Sequence, residues 1–277
     1  MGAWGPGLYQ DDVALDVRDY YKDQLHRGKE GEQITQELIE QNSDMLEDPD
    51  DGPVFWLALA DVQWKMGRLE DMVKKNALNI IDGNVDLKRC QSEDLKNIKK
   101  RMCVLSELKE RLLNPQPEMK RVSQYHLYHC DWKIGDVYAY RLLGDYAKEK
   151  DFFGKYLFFV KIDETIWYPG HTVPVVYFFW IVSDSLLKIS ELEKIEYMPQ
   201  FFTPKAYEKD NQSKKYMLTL LNTSSRVIPK KNLLYIGNIE NIQHIDKEDT
   251  NSYEIEWKNF EKYIIKNIIN WKGYKDF

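Results

Sequence analysis

The chain has few cysteines and histidines, no cluster of glycines in a recognised phosphate-loop order, and no long apolar run. Its 277 residues include three cysteines, Cys90, Cys103 and Cys130. They are too few and too irregularly spaced for a disulfide framework or a zinc set, so reduced thiols and a cytoplasmic location are expected. The longest strongly apolar run, VPVVYFFWIV at Val173–Val182, is half a membrane span. No membrane partner is therefore expected, and the first residues lack the basic and apolar regions of a signal peptide. Gly2 would suit myristoylation, but Pro6 stands where that pattern needs Ser or Thr. No P-loop, hydrolase elbow or kinase signature is present, and no cofactor is expected.

What the chain does have is apolar bulk and acid. Hydrophobic residues make up 43% of it and aromatics 13%, enough for packed cores and too much for wholesale disorder. Residues 1–120 carry 24 acids against 17 bases, whereas residues 121–277 carry 21 against 22. An acidic face repels phosphate backbones, which disfavours nucleic acid and favours a basic protein partner.

Helical spacing dominates the first part of the chain. Asp11 or Asp12 caps a helix reaching about Leu25, and a second helix near Ile34–Leu46 buries Ile34, Leu38, Ile39 and Met45. Pro53 suits the first turn of a third helix, VFWLALADVQWKM, which closes at Gly67. A fourth, Leu69–Ile81, follows after two residues, so the two form a tetratricopeptide-like hairpin. There is one such unit where a solenoid needs three. A fifth helix opens at Ser92, and Pro115 and Pro117 end it, marking the expected boundary between residues 1–117 and 118–277.

From Val122 the pattern turns to short aromatic and β-branched runs. Expected strands are Val137–Leu142, Tyr156–Ile162, Val173–Val182, Met217–Leu221 and Leu233–Ile236, followed by a helix over Trp257–Trp271, with Lys205–Lys215 as a loop. The expected fold class is α+β: an acidic helical domain, then a β-rich sheet or partial barrel under a closing helix.

The glycines of MGAWGPGLYQDDVALD are spaced G-x-x-G-x-G and follow no strand, which is the wrong order for a dinucleotide loop. They read instead as a tight turn that tucks Trp4 against the first helices. HLYHC offers His126, His129 and Cys130, and a metal site would need His171 or a carboxylate as well. A Cys130–His171 pair would be the obvious nucleophile and base, though nothing in the spacing joins them. The expectation is no metal and no catalytic residue. WYPGH, Trp167–His171, carries aromatic and imidazole groups on a Pro-Gly turn, the composition of an interface anchor, and an equal reading has Trp167 and Tyr168 completing the core beside VPVVYFFWIV. Trp167, Tyr168 and His171 are the candidate partner-binding residues, together with the acidic pair Asp50 and Asp51. The bases of Lys99–Arg101 read as solvated.

Two resemblances follow from these stretches. MGAWGPGLYQDDVALD resembles the opening of the bacterial domain of unknown function 4259 family, with its Gly-Trp-Gly turn, acidic pair and helix. WKIGDVYAYRL, Trp132–Leu142, followed by GKYLFFVKI, Gly154–Ile162, is similar to the twenty-sixth bacterial toxin-immunity family, in which a Gly-Asp turn feeds an aromatic strand. Gly135 and Asp136 supply that turn here. The second resemblance implies an immunity-like domain over residues 118–277 and a binding protein that neutralises a partner toxin, a basic domain given the acidic face. The alternatives are a cysteine- or metal-dependent enzyme centred on Cys130, His126, His129 and His171, and a scaffold component of a phage-defence system.

Overall fold

The computed structural model describes residues 5–88, 95–198, 200–201, 214–215, 217–240, 242 and 253–274. Trp4, Cys90, Ser92 and most of the Lys205–Lys215 loop lie outside the described residues. The protein is α+β and divides into two compact units, residues 1–125 and 126–277.

The first unit holds helices α1 (Asp12–His26), α2 (Gly31–Gln41), α3 (Ser43–Glu47), α4 (Asp51–Met66), α5 (Asp71–Asp82), α6 (Val85–Lys88) and α7 (Leu95–Leu113). Its centre is α4, whose FWLALADV stretch is apolar on nearly every side and buried nearly all round. Val54, Phe55, Leu57, Ala58, Leu59 and Val62 are buried in a core shared with α1, α5 and α7. Each large one contributes about 1.5–3 kcal/mol of burial. Asp11 caps α1 by accepting the Val13 N–H at 3.0 Å. The single second helix expected over Ile34–Leu46 is two: the Asn42 amide turns back to the Leu38 carbonyl at 2.8 Å and divides α2 from α3.

Gly67 ends α4 in the left-handed region, φ 68°, and a Cβ there would lie 2.6 Å from the carbonyl oxygens of Pro117 and Glu118. The chain after the two prolines therefore crosses the helices closely. Lys120 donates its N–H to the Met66 carbonyl, and the Tyr125 N–H reaches the His26 carbonyl at 2.9 Å. This strap explains why the compact units divide after Tyr125, eight residues beyond the expected boundary at Pro117.

The second unit is a six-stranded sheet in the order β7-β1-β2-β3-β6-β8, formed by β1 (Asp136–Arg141), β2 (Tyr156–Trp167), β3 (His171–Ser183), β6 (Met217–Leu220), β7 (Leu233–Asn238) and β8 (Tyr253–Ile255). Two-residue strands β4 (Gln200–Phe201) and β5 (Lys214–Lys215) pair apart from it. All pairings in the large sheet are antiparallel except β6 with β8. The sheet is open, because its end strands β7 and β8 do not pair; among the described residues it is not a barrel.

Strict alternation gives the sheet two covered faces. Tyr140, Phe159, Phe178 and Leu218 pack under α10 (Trp257–Tyr274) through Phe260, Ile264 and Ile265. Ala139, Phe158, Val160 and Tyr177 pack on the other side with Leu192 of α9 (Ile189–Leu192) and with Tyr197. The Gly-Asp turn feeds β1 as expected. Gly135, at φ 91°, approaches the Ile239 carbonyl too closely to carry a Cβ, and the Asp136 carboxylate accepts the Lys133 N–H at 2.7 Å. The stretch Leu143–Phe153 contains α8 (Asp145–Glu149). Glu261 of α10 holds its approach by accepting the N–H groups of Leu143 and Gly144.

Candidate functional site

The β2–β3 hairpin outgrows its sheet. Strand β1 accompanies β2 only from Tyr156 to Val160, and β6 accompanies β3 only from Val175 to Tyr177, yet the hairpin pairs on to Trp167 and His171. A register shift between Lys161 and Asp163 marks where it departs. Beyond that point Asp163, Glu164, Thr165 and Ile166 are exposed. Glu164 pairs with Pro174, a residue with no N–H to donate and suited to such a ribbon.

A second segment stiffens this arm. Residues 128–130 run beside the start of β3: the Thr172 N–H donates to the Tyr128 carbonyl at 2.9 Å, and the Cys130 N–H to the Thr172 carbonyl at 3.1 Å. The Tyr128 N–H donates to Nδ1 of His171 at 2.9 Å, which requires that nitrogen to be unprotonated. The buried Lys161 ammonium reaches the Trp132 carbonyl at 2.7 Å and the Glu164 carboxylate at 2.9 Å, tying strap and arm together.

At the tip, the Gly170 N–H closes on the Trp167 carbonyl at 2.8 Å, with a cis bond between Tyr168 and Pro169. Tyr168 is 66% exposed and Ile166 69%, with Leu127 of the strap 41% exposed beside Gly170. These residues leave an apolar and aromatic tip on a braced support. Trp167 is half-buried and turns to line a concavity of about 560 Å³ with Leu221, Thr223, Val227, Pro229 and Trp257, rimmed by Glu256 and Lys258. The reading that both aromatics complete the core does not hold for Tyr168.

The segments that carry His129 and Cys130 on one side and His171 on the other do run side by side, which spacing alone did not indicate. Burial, the largest effect, pushes the Cys130 thiol up, so it lacks the lowered pKa of an activated nucleophile. Burial, and then the nearby His129, hold His171 below the ordinary imidazole value. His129 Nδ1 lies 3.3 Å from the Thr172 hydroxyl, and His126 is exposed. Among the described residues no three His, Cys, Asp or Glu side chains are grouped to hold a metal ion.

Asp50 and Asp51 lie at the start of α4 in the other unit. Their backbone N–H groups donate to the Asp48 carboxylate at 2.8 and 3.0 Å, so Asp48 organises the turn while the Asp50 side chain is exposed. Glu32, Glu40, Asp44 and Glu47 are exposed on the same run of helices. The triplet expected to be solvated is not uniform: Lys99 and Lys100 are exposed, but Arg101 is 5% exposed and grips Asp86 with two hydrogen bonds of 2.8 Å. Arg101 also donates to the Gly7 carbonyl at 3.2 Å, which gives the Gly-Pro-Gly opening a structural purpose.

Among the described residues no helix is long and apolar enough to cross a membrane. Compared with known protein families, characterised proteins and solved structures, the chain finds no match.

Proposed function

We propose that this chain is a non-catalytic, cytoplasmic binding protein of a bacterial conflict system, an immunity-type protein that neutralises a basic toxin domain by occupying it. The supporting observation is the braced hairpin arm: a strand pair carried past its sheet, held by a strap, and ending in exposed Ile166 and Tyr168. Ile166, Tyr168 and Leu127 exposed together at one tip, rather than any one of them alone, suit the arm to a partner surface, because apolar patches and aromatic anchors mark contact sites. The exposed acids around Asp50 and Asp51 would speed the approach of a basic partner without setting its final affinity. The raised Cys130 thiol gives the cysteine-enzyme alternative no support.

The reading is tested by purifying the partner that the chain retains in its host and titrating the chain against that partner's toxic activity. Inhibition should saturate at one chain per toxin and show no dependence on incubation time beyond binding. Inhibition by catalytic amounts of the chain, with a chemically altered toxin as product, would overturn it in favour of an enzyme.

A further inference from the structure

The concavity beside the arm is built mainly of apolar walls, with two indole rings from distant parts of the chain. Trp167 comes from the end of β2 and Trp257 opens α10, so the groove exists only when hairpin and helix are both in place. Trp257 is held firmly. Its indole N–H donates to the Asn222 side-chain oxygen at 2.6 Å, and its ring packs on Phe260 and stacks on Tyr140. Asn222 is fully buried, with the Tyr128 phenol beside its side-chain amide. The Tyr128 backbone N–H donates to His171, so the same residue borders the groove wall and holds the arm.

The rim carries the information about charge. The Lys258 ammonium lies 2.6 Å from the Glu256 carboxylate, and the two side chains are 73% and 50% exposed. Lys258 therefore sets a cation on Glu256 at the edge of an indole-walled groove. An exposed ion pair of this kind is worth little, because water screens it and two long side chains must be held still. A cation brought from a partner and desolvated against an indole face gains more, since the ring quadrupole attracts positive charge and repels negative. Exchange of Lys258 for such a cation is then favourable.

We propose that this groove receives a lysine or arginine side chain of a protein partner, its aliphatic stem along Trp167 and Trp257 and its charged head on Glu256, displacing Lys258. The proposal takes its cation from the basic partner of the reading above, and the groove adjoins the arm through Trp167. It predicts opposite effects for two neighbouring rim residues, which a generic apolar groove would not give.

The test uses blocked tripeptides, Gly-Arg-Gly, Gly-norleucine-Gly and Gly-Glu-Gly, titrated into the full chain while the indole N–H resonances of Trp167 and Trp257 are followed. The arginine peptide should shift both signals and bind at least about fivefold tighter than norleucine, with the glutamate peptide weakest. Glu256→Gln should weaken the arginine peptide about fivefold and Lys258→Gln should tighten it about twofold, in line with an exposed pair being displaced. Equal binding of norleucine and arginine, or weaker binding in Lys258→Gln, would overturn the assignment. A chain that still captures its toxin at full affinity after Glu256→Gln and Trp257→Phe would sink the groove while leaving the arm's role intact.

Discussion

In the helical unit the buried charges are spent on one another, whereas in the β-rich unit the polar groups brace a projection. Asp61 is fully buried and accepts Tyr9 at 2.6 Å, Arg111 at 2.5 Å and Lys65 at 2.7 Å. Asp86 is fully buried against Arg101. The ion pairs join α4 to α7 and α6 to α7, the Tyr9 phenol ties α4 to the N-terminal turn, and these contacts leave little for an outside partner. In the sheet, Lys161, Tyr128 and His171 instead hold the arm that carries Ile166 and Tyr168 into solvent. The contrast separates residues kept for folding from residues kept for contact: charge buried in pairs specifies architecture, and apolar surface exposed on a braced support specifies recognition.

The largest break in that contrast is expected from Arg101→Met. Removing one partner of a buried pair leaves Asp86 charged and unmatched, which costs about 3–5 kcal/mol. Urea unfolding should show the loss, and hydrogen exchange should place it in residues 5–125. Next come Gly67→Ala and Gly135→Ala, one in each unit. Each puts a Cβ on a left-handed backbone facing a carbonyl, at about 1–3 kcal/mol. Exchange protection should fall around Met66–Lys120 in the first variant and around Lys133–Val137 in the second.

Much of the architecture was legible because it rests on periodic apolar residues. Val13 and Val17 mark the buried face of α1, and YLFFV and VPVVYFFWIV mark the central strands. The arm was not, since Asp163, Glu164 and Thr165 have no apolar alternation when both faces of a ribbon are wet. Helices α6, α8 and α9 have only four or five residues, too short for a 3.6-residue period to declare itself, and the three residues of β8 are too few to alternate. Arg101 looked like one of three surface bases because its partner, Asp86, is fifteen residues away. The tip's WYPGH was visible through composition, but its strap was hidden in HLYHC, where the imidazoles suggested a metal. The groove joins β2 to α10 across ninety residues, and no local pattern announces that meeting.

A smaller effect should follow pH. His171 accepts the Tyr128 N–H through an unprotonated nitrogen, and its folded value lies below the ordinary 6.5. The unfolded chain therefore takes up the proton first. The arm's stabilisation is present above about 6.5 and is lost as pH falls from there through the lower folded value. Amide exchange at Tyr128 and Thr172 should accelerate across that window, and His171→Phe should abolish the pH dependence without changing exchange in the helical unit. The smallest effect is expected from Asp50→Asn with Asp51→Asn: association with a basic partner should slow about two- to threefold at low ionic strength, and the difference should vanish when salt screens it.

The most direct measurement is on Tyr168→Ala, read for stability and for partner affinity in the same preparation. The account predicts an unchanged urea midpoint and an affinity about thirtyfold weaker, the cost of truncating an interface anchor. An unchanged affinity, or a loss of affinity that only tracks a lowered midpoint, would contradict it.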